Sequence, residues 1–579
     1  MPKVWRIAAN DAARIAQLEL AAGVPSVVAQ LLLCRGITCP DAARRFLECK
    51  LSGLRDPEEL PGATAAAQRI TESIARGERI VIYGDYDADG VTATAILYRC
   101  LRILGGDVRY YLPSRLEEGY GLNDDALERI AADNARLVVT VDCGIASVSE
   151  AETARRLGLS LIITDHHEPP ERLPEADGVV HPRVPSGGYP FPDLCGSGVA
   201  LKLAWAVCQQ ASGGGRVTDK LREFLLQAVG LAAIGTVADV VPLVDENRIL
   251  VRHGLTALFG RPLVGIAALA RVTGLCDKPC YNSEDIAFML APRINAAGRL
   301  GQAQLAVELL VTDSPERAAA LAEYIHELNE SRQSLERRIY RAACAQARDQ
   351  FDPHSDPALV LSADDWHPGV IGIVAGRLAE KYHRPVILIS RDPLSGKPAT
   401  GSARGIPGLH LHQALAACRE HLVGYGGHAA AAGLRIEPQY VDAFRVAFCE
   451  QIAMAISRDA REAELLIDAE APLASLTHQV VRQMESLAPF GAGNQRPLLC
   501  TRGVRIDGEL KRIGGGGRHL SLSVVQHGKR IRAVAFGGAE WEKDFTQLER
   551  PISIAFRPVI NSFRGRSSVE MHLADWRAD

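Results

Sequence analysis

Acidic and imidazole side chains follow three short apolar runs that are typical of buried strands. The runs, with the residues that follow them, are 79–83 with Asp85, Asp87 and Asp89, 137–141 with Asp142, and 159–164 with Asp165, His166 and His167. Helical patterns separate these runs, so the strands are expected to form a parallel sheet. Ligands bind outside the carboxyl ends of such strands. The sequence therefore predicts that five aspartates and two histidines face one crevice.

This many carboxylates in one crevice predicts a site for divalent cations. Packed carboxylates repel one another and shift toward protonation, and bound cations remove that penalty. Carboxylates with some imidazole suit Mn²⁺ and Mg²⁺ better than metals that prefer thiolates. A site with so many ligands has room for two ions, the arrangement that clamps the attacking and leaving oxygens in phosphoester hydrolysis.

A further carboxylate, Asp239, ends an apolar stretch that begins near Leu225. A carboxylate in such surroundings is costly unless it is paired or binds a metal, so Asp239 is either a buried helix cap or a further ligand. The Asp-x-Asp-x-Asp-Gly spacing also resembles the start of a calcium-binding EF-hand loop. That alternative fails because a strand precedes the motif and the twelfth residue from Asp85 is Ile96, where the loop needs Glu.

The rest of the chain predicts a multidomain α/β protein with a β-rich end. Ser314-Pro315-Glu316 is a good helix start, and the apolar spacing that follows predicts a helix of roughly thirty residues. A second α/β pattern begins near Ala358, and short alternating strands separated by glycines follow after about residue 470, as in a small barrel. The expected regions are an N-terminal helical segment 1–50, a catalytic domain 51–265, a helical connector 266–350, a second α/β domain 351–470 and a barrel domain 471–579.

Composition indicates a globular protein. The chain has 579 residues, 47% hydrophobic and 23% charged, with a net charge of −4. These values exclude disordered and collagenous chains, and neither an uninterrupted membrane-length apolar run nor a signal peptide is recognised. Thirteen cysteines are scattered, as expected for reduced thiols, and Cys276 with Cys280 is only a weak metal signal. Residues 496–579 carry 15 Lys and Arg against 9 Asp and Glu, which makes this end basic.

The ordered motifs resemble those of the DHH phosphoesterase superfamily. The first four are YGDYDADG at 83–90, VDCG at 141–144, TDHH at 164–167 and GTVADVVP at 235–242. Later motifs resemble the superfamily's bacterial exonucleases specific for single-stranded DNA: APRINAAGRL at 291–300, HPGVIG at 367–372, GSAR at 401–404 and GGHA at 426–429. The resemblance runs from about residue 20 to the end of the chain.

This resemblance implies a DHH lobe, a long connecting helix, a DHHA1 lobe and a C-terminal oligonucleotide-binding (OB) barrel. By position, it implies metal ligation by Asp85, Asp87, Asp89, Asp142, His166 and Asp239. Asp142 would bridge two Mn²⁺ or Mg²⁺ ions, and His167 would be a ligand or a proton donor beside them, so the implied catalytic residues are Asp142, His166 and His167. The implied substrate-binding residues are Arg293, Asn295, Arg299, Ser402, Arg404 and His428.

The implied activity is 5′→3′ removal of mononucleotides from single-stranded DNA in repair and recombination. The implied setting is the bacterial cytoplasm, with a monomeric enzyme that acts beside single-strand binding protein and a helicase and away from membranes. In the barrel, six aromatic residues are expected mostly in the core: Phe536, Trp541, Phe545, Phe556, Phe563 and Trp576. Two alternatives stay open, a phosphodiesterase for short oligonucleotides or cyclic dinucleotides and a non-catalytic DNA-binding scaffold.

Overall fold

The structure is a computed structural model. It describes residues 3–114, 118–119, 121–185, 187–214, 216–352, 355–393, 396–455, 464–548, 550–563 and 566–579. The chain forms two compact units, each assembled from separate stretches. The first unit comprises residues 1–54, 242–252 and 463–579, and the second comprises residues 55–241 and 253–462.

The N-terminal segment contains one strand and three short helices. They are β1 (Val4–Ile7), α1 (Ala12–Ala22), α2 (Ser26–Cys34) and α3 (Pro40–Glu48). Helix α2 is apolar nearly all round, with Val28, Leu31 and Leu32 fully buried. A helix of this kind needs a core around it, and the first unit provides that core, as described below.

The catalytic lobe of the second unit is a five-stranded parallel sheet between helices. Its elements are α4 (Ala63–Ala75), β2 (Arg79–Gly84), α5 (Ala88–Ile103), β3 (Val108–Tyr111), α6 (Asp124–Ala132), β4 (Ala135–Val141), α7 (Val148–Arg156), β5 (Ser160–Thr164), β6 (Gly178–Val180), α8 (Gly196–Ala211) and α9 (Asp219–Ala238). The strand order is β3-β2-β4-β5-β6, and each neighbouring pair is parallel. The three strands that precede the predicted acidic motifs, β2, β4 and β5, are neighbours in this sheet. Their carboxyl ends therefore lie side by side.

Helix α9 is apolar because it is a core helix. By length and composition it could cross a membrane, and two sharply bent pairs, α1 with α2 and the helices 245–260 with 264–272, could do so if each pair counted as one span. In the fold, α9 packs against α5 and α8. Of its most apolar stretch, 61% is buried inside the protein. Its apolar length thus serves packing, and its last turn delivers Asp239 to the sheet edge.

Helices connect the catalytic lobe to the next sheet. They are α10 (Asp245–Gly260), α11 (Val264–Val272), α12 (Ser283–Asp285), α13 (Ala291–Arg299), α14 (Ala303–Val311) and α15 (Pro315–Gln350), with a π-helical turn at Ile286–Leu290 before α13. Helix α15 confirms the long helix expected from the sequence. The Ser314 hydroxyl caps it by accepting the Arg317 N–H at 3.1 Å, and Pro315 occupies its first turn.

A mixed five-stranded sheet forms the second lobe. Its elements are β7 (Leu359–Ala363), α16 (Pro368–Tyr382), β8 (Val386–Ser390), β9 (Ala399–Arg404), α17 (Leu411–Ala417), β10 (Gly424–Gly427), β11 (Ala431–Ile436) and α18 (Val441–Ala455). The strand order is β10-β11-β9-β8-β7, and within it only β7 and β8 run parallel. The GSAR motif lies in β9, and the GGHA motif begins at the end of β10. Strand β11 lies between these two strands and pairs with both.

The C-terminal region of the first unit is a closed barrel. Its elements are β12 (Glu464–Ile467), β13 (Ala469–Glu470), α19 (His478–Glu485), β14 (Leu499–Ile513), β15 (His519–Gln526), β16 (Lys529–Ala535), α20 (Trp541–Gln547), β17 (Ile552–Phe563) and β18 (Arg566–Ala578). Strands β14-β15-β16-β18-β17 are hydrogen-bonded in that order, and β17 pairs back with β14. Closure leaves these five strands without an unpaired edge, as in an OB fold. The predicted α/β architecture with a terminal barrel is confirmed.

The barrel and the N-terminal helices share one hydrophobic core. Leu18, Val28 and Leu31 of α1 and α2 belong to the same buried cluster as Leu499 and Phe556 of the barrel. Strand β1 also pairs in parallel with β12. Since neither part buries its apolar face alone, the structure groups residues 1–50 with the barrel, whereas the sequence suggested a separate segment.

Candidate active site

The edge formed by the carboxyl ends of β2, β4 and β5 gathers the acidic residues and histidines into overlapping clusters. Within each cluster the ligand atoms lie within 4.8 Å of one another. The clusters are Asp85 with Asp87 and Asp142, Asp89 with His166 and Asp239, and Asp142 with Asp165, His166 and His167. Asp142 and His166 each belong to two of the three clusters, so these two residues link all three.

The backbone of Asp142 aims its carboxylate into the crevice. Its φ of 62° lies in the left-handed region, which is uncommon for a residue other than glycine. Gly196 at the start of α8 leaves room for this carboxylate, because a Cβ there would lie 2.5 Å from Asp142 Oδ1. Burial and the neighbouring carboxylates, Asp89 first, raise the pKa of Asp142 well above its usual range. Without a cation, the ionised form is disfavoured at this position.

Asp87 and Asp89 are fixed by two helix starts. Asp87 caps α5, and its Oδ1 accepts the N–H groups of Asp89 and Gly90 at 2.8 and 3.1 Å. Asp89 lies in the first turn of α5, and its two oxygens accept the N–H groups of Gly196 and Ser197 at 2.6 and 2.9 Å. The start of α8 therefore holds the Asp89 carboxylate through backbone donors and the favourable end of its dipole.

The residues present fit a divalent metal. His166 Nε2 lies 3.1 Å from Asp142 Oδ1, 3.6 Å from Asp239 Oδ2 and 4.0 Å from Asp89 Oδ2. Although three carboxylate oxygens surround it, this buried nitrogen makes no hydrogen bond of suitable geometry within the described residues. Burial, then the charge of His167, lowers the pKa of His166 to about 4. A neutral imidazole with an available nitrogen is the form that ligates metals.

The raised pKa of Asp239 is a second indication that this site binds cations. Burial, then the charges of Asp89 and Asp87, raises its pKa to about 8. The pKa of Asp87 is also raised, by burial and by the charge of Asp89. These carboxylates cannot all ionise near neutral pH in the absence of a compensating charge. The donor set, carboxylate oxygens with one imidazole nitrogen, matches Mn²⁺ and Mg²⁺.

Asp165 orients His167, a contact that the sequence did not assign. Its Oδ1 lies 2.6 Å from His167 Nδ1 and accepts the N–H groups of His166 and His167, while its Oδ2 accepts the Ile145 N–H at 3.0 Å. Burial would lower the pKa of His167, but the hydrogen bond to Asp165 and the charge of that carboxylate raise it to about 9. In the absence of bound cations, Asp165 therefore favours the protonated form of the His167 ring at neutral pH.

A groove of about 830 Å³ joins this edge to the second lobe. From the catalytic lobe it is lined by Asp85, Asp87, Asp142, His167 and Asp239, and from the second lobe by Ser402, Arg404 and His428. The His167 and His428 rings stack across it, with centroids 6.2 Å apart and planes 13° apart. Arg404 Nη1 donates to Ser402 Oγ at 3.1 Å, so a hydroxyl and a guanidinium face the acidic edge together.

The predicted substrate-binding residues of α13 divide into two groups. Asn295 and Arg299 line the groove. Asn295 Oδ1 accepts the Ala88 N–H at 2.9 Å, and Arg299 Nη1 donates to the Gly369 carbonyl at 3.2 Å. Arg293 is not among the lining residues. Its side chain donates to the Met289 carbonyl at 2.6 Å and contacts His326 Nδ1 of α15 at 3.2 Å, so it ties α13 to the long helix.

Sequence reasoning missed several residues of the groove and its support. Tyr86, Val240 and Thr400 line the groove, and the backbone of Gly196 and Ser197 holds Asp89. Tyr86 and Val240 lie within the quoted motifs at 83–90 and 235–242, which is the signal that the sequence offered for them. The others depend on where distant segments meet.

Models of known protein families match three parts of the chain. The N-terminal domain of the DHH family matches residues 79–236, the DHHA1 domain matches 355–454, and the RecJ OB domain matches 467–575. A parallel sheet with aspartates and histidines at its carboxyl edge, faced by a DHHA1 lobe, defines a DHH-class phosphoesterase.

Full-length relatives narrow the class. The chain is 36% identical to the single-stranded-DNA-specific exonuclease RecJ of Bacillus subtilis over 99% of its own length and 70% of that protein. It is 34% identical to RecJ of Dickeya dadantii, covering 96% of both chains. A crystal structure of RecJ from Thermus thermophilus in complex with Mn²⁺ superimposes with a TM-score of 0.84 at 32% identity, covering all of this chain and 80% of that one. The chain belongs to the RecJ family.

Proposed function

We propose that this chain is a metal-dependent exonuclease that degrades single-stranded DNA in the 5′→3′ direction to 5′-mononucleotides. The observation that carries the proposal is the groove in which a carboxylate and imidazole cluster faces Ser402 and Arg404. The names of the relatives, single-stranded-DNA-specific exonucleases, support the substrate, and the DNA-binding type of the barrel supports it further.

The cluster would hold two divalent ions, Mn²⁺ or Mg²⁺. Their ligands would be Asp85, Asp87, Asp89, Asp142, His166 and Asp239. Asp142 would be shared because it clusters with Asp85 and Asp87 and also lies 3.1 Å from His166 Nε2. Bound ions of this kind neutralise the carboxylates, polarise the phosphoryl oxygens and lower the pKa of water. Crystal structures of Thermus thermophilus RecJ in complex with Mn²⁺ and with Mg²⁺ support this choice of metals.

The remaining groove residues would bind and orient the DNA. Arg404 presents a planar fork that suits a phosphate, and Ser402 adds a hydroxyl donor beside it. His167, whose ring Asp165 holds through Nδ1, would donate a proton to the leaving oxygen of the bond that is cut. Asn295 holds the start of α5 through Ala88, and Arg299 holds α16 through Gly369. Together they would keep both sides of the groove at a fixed separation.

The physiological setting follows from this activity. We propose that the enzyme works as a monomer in the bacterial cytoplasm during DNA repair and recombination, beside single-strand binding protein and a helicase that supply its substrate. Within that setting, residues 51–265 would form the catalytic domain, 266–350 the connector, 351–470 the DHHA1 domain and 471–579 the DNA-binding barrel.

Digestion of a single strand labelled at either end tests the proposal. We expect a 5′ label to be released at once as a mononucleotide and a 3′ label to persist on shortening fragments, with both reactions stopped by a chelator and restored by Mn²⁺. Early release of a 3′ label would contradict the direction, and full activity of exhaustively chelated enzyme would contradict the metal dependence.

Asp142→Asn tests the shared ligand. The variant keeps the size of the side chain and lowers the charge of the cluster, so it is expected to fold while cleavage falls more than about a hundredfold. The matched control is Asp177→Asn near the start of β5, where the carboxylate accepts from Ser160 Oγ and the Leu161 N–H at the opposite end of the strand from the groove. Near-normal turnover by the Asp142 variant would remove the bridging role.

A further inference from the structure

Val240 has an unusual backbone conformation. Seven residues other than glycine have positive φ in the described part of the chain: Cys49, Asn134, Asp142, Val240, Asp245, His383 and His527. Val240, with a φ of 61°, is the β-branched member of this set. Branching at Cβ makes the left-handed region especially unfavourable, and such strain persists at sites where it serves function.

The surroundings of Val240 give no packing reason for this strain. The residue follows Asp239 directly, where α9 has ended, and its amide nitrogen lies 3.4 Å from the Val237 carbonyl oxygen, a long hydrogen bond. Its side chain is 68% exposed, so little of the isopropyl group is covered by the protein. Because the Val240 side chain buries little area in the free enzyme, core packing does not offset the cost of its backbone strain.

The exposed isopropyl group faces the groove. Val240 lines it next to Asp239, and most of the other lining residues are carboxylates, histidines, arginines, hydroxyl residues and glycines. Within the groove, the other aliphatic lining residues are Ala238, Pro368, Ala431 and Ala432, so Val240 is the largest branched aliphatic side chain there. A nucleotide brings an anionic phosphate for the polar groups and apolar faces on its sugar and base.

We propose that Val240 is a substrate-contacting residue that packs against the sugar or base of the nucleotide at the bond that is cut. The inference rests on the proposed function and adds a specific apolar contact to it. The left-handed turn after α9 lets two consecutive side chains enter the groove, Asp239 toward the metal cluster and Val240 toward the nucleotide. The area that Val240 leaves exposed in the free protein is then covered when DNA binds.

Two substitutions distinguish the effect of the Val240 side chain from the effect of its backbone strain. Val240→Ala removes the two methyl groups and keeps a Cβ at positive φ, whereas Val240→Gly also relieves the strain. We expect both to lower kcat/KM on a short single-stranded oligonucleotide about five- to tenfold through KM, with kcat within about twofold of wild type, because about two buried methyl groups are lost. The glycine variant should melt at the same or a higher temperature than wild type.

Val446→Ala is the matched control. Val446 lies on α18, is 60% exposed and does not line the groove, so its truncation removes a comparable exposed side chain. Its kinetics are expected to match wild type. A substrate with an abasic 5′ nucleotide shows which part of the nucleotide Val240 contacts. If wild type and Val240→Ala still differ in kcat/KM on this substrate, the contact is to the sugar. If the difference in kcat/KM disappears, the contact is to the base.

Two results would overturn the proposal. Unchanged kcat/KM in both Val240 variants would show that the side chain touches no substrate. A loss in kcat with a higher Mn²⁺ requirement would show that residue 240 only positions Asp239. Binding of a short oligonucleotide with a 3′ fluorophore to the chelated proteins provides a separate readout. Wild type and Val240→Ala should differ in this affinity even if the wild-type enzyme failed to cleave DNA. The binding measurement therefore separates a failure of this inference from a failure of the proposed function.

Discussion

At the scale of single residues, the site contains two kinds of histidine made different by their neighbours. Burial keeps His166 neutral with its Nε2 directed at carboxylates, while Asp165 keeps His167 protonated. The first form suits a metal ligand, and the second suits a donor to phosphate. Adjacent residues in one motif therefore take separate roles because a third residue of the same motif holds only one of the two rings.

The raised pKa values make the stability of the metal-free protein depend on pH. In the folded protein the pKa of Asp239 is about 8, so this carboxyl is mostly protonated at pH 7 and mostly ionised at pH 9. In the unfolded chain it is ionised at both pH values. His167, with a folded-state pKa of about 9, also loses its stabilising proton over this range. Both changes favour unfolding as pH rises, and His166 is neutral in both states there. We expect the melting temperature of the chelated protein to fall by several degrees between pH 7 and pH 9.

Calorimetry with and without Mn²⁺ checks this expectation. Because the cation compensates the ionised carboxylates, Mn²⁺ should raise the melting temperature more at pH 9 than at pH 7. An equal rise at both pH values, or a flat profile for the metal-free protein, would show that the carboxylates are not coupled as described.

At the scale of elements, glycines on helices allow the close approaches that build the groove. Gly235 on α9 lies against Asp89 and Ser197, where a Cβ would come within 2.2 Å of Asp89 Oδ1 and 2.1 Å of Ser197 Oγ. Gly298 on α13 lies against the Tyr86 carbonyl, where a Cβ would come within 2.0 Å. These helices can support the acidic loop only because the side chain is absent at the contact.

Helix α16 offers a matched pair of glycines, one turn apart. A Cβ at Gly372 would lie 2.7 Å from Ser402 Oγ and 2.8 Å from Arg404 Nη2, whereas one at Gly376 would meet only Arg404 Cγ at 3.9 Å. We expect Gly372→Ala to raise KM about tenfold by displacing the phosphate-facing groups. Gly376→Ala should leave kinetics unchanged and stabilise the helix by about 0.5–1 kcal/mol. Equal kinetics for the two variants would contradict the role of Ser402 and Arg404.

At the scale of the whole molecule, the barrel has the connectivity of an OB fold and depends on residues far away in sequence. Its ring order runs first, second, third, fifth and fourth strand, and its ligand face is expected over the second and third. Because Val28 and Leu31 share its core, removal of the barrel strands would expose the N-terminal helices. Substitutions on the barrel surface therefore test DNA binding better than truncation does.

Phe536 is the residue to substitute. It follows the third strand, is 59% exposed, and its ring lies 5.3 Å from His519 and 4.8 Å from His572 between centroids. Base stacking on an exposed aromatic is worth about 1–3 kcal/mol, so Phe536→Ala should weaken binding of a long single strand about tenfold. Cleavage of a short oligonucleotide should be unaffected. Phe259→Ala, which removes another exposed ring outside the barrel, serves as the control in fluorescence anisotropy.

The aromatic residues of the barrel test the prediction that most of them lie in its core. Phe545 and Phe556 are buried, and Trp541 and Trp576 pack against the core, as the sequence predicted for most of them. Phe536 is the exposed member, and the side chain of Phe563 lies outside the described part of the chain. Alternation along a strand indicates which residues share a face, but a residue just beyond the strand end, as Phe536 is, escapes that pattern.

The sequence by itself determined the strands β2, β4 and β5 of the catalytic sheet, the long helix α15 and the ordered acidic motifs, because local periodicity and capping fix these features. It also placed Asp85, Asp142 and His166 at strand ends, where parallel topology forces convergence. Only the tertiary structure decided that Gly196 and Ser197 hold Asp89, that Arg293 contacts α15, and that the N-terminal helices complete the barrel core. Those outcomes depend on contacts between residues more than thirty positions apart, which no local pattern encodes.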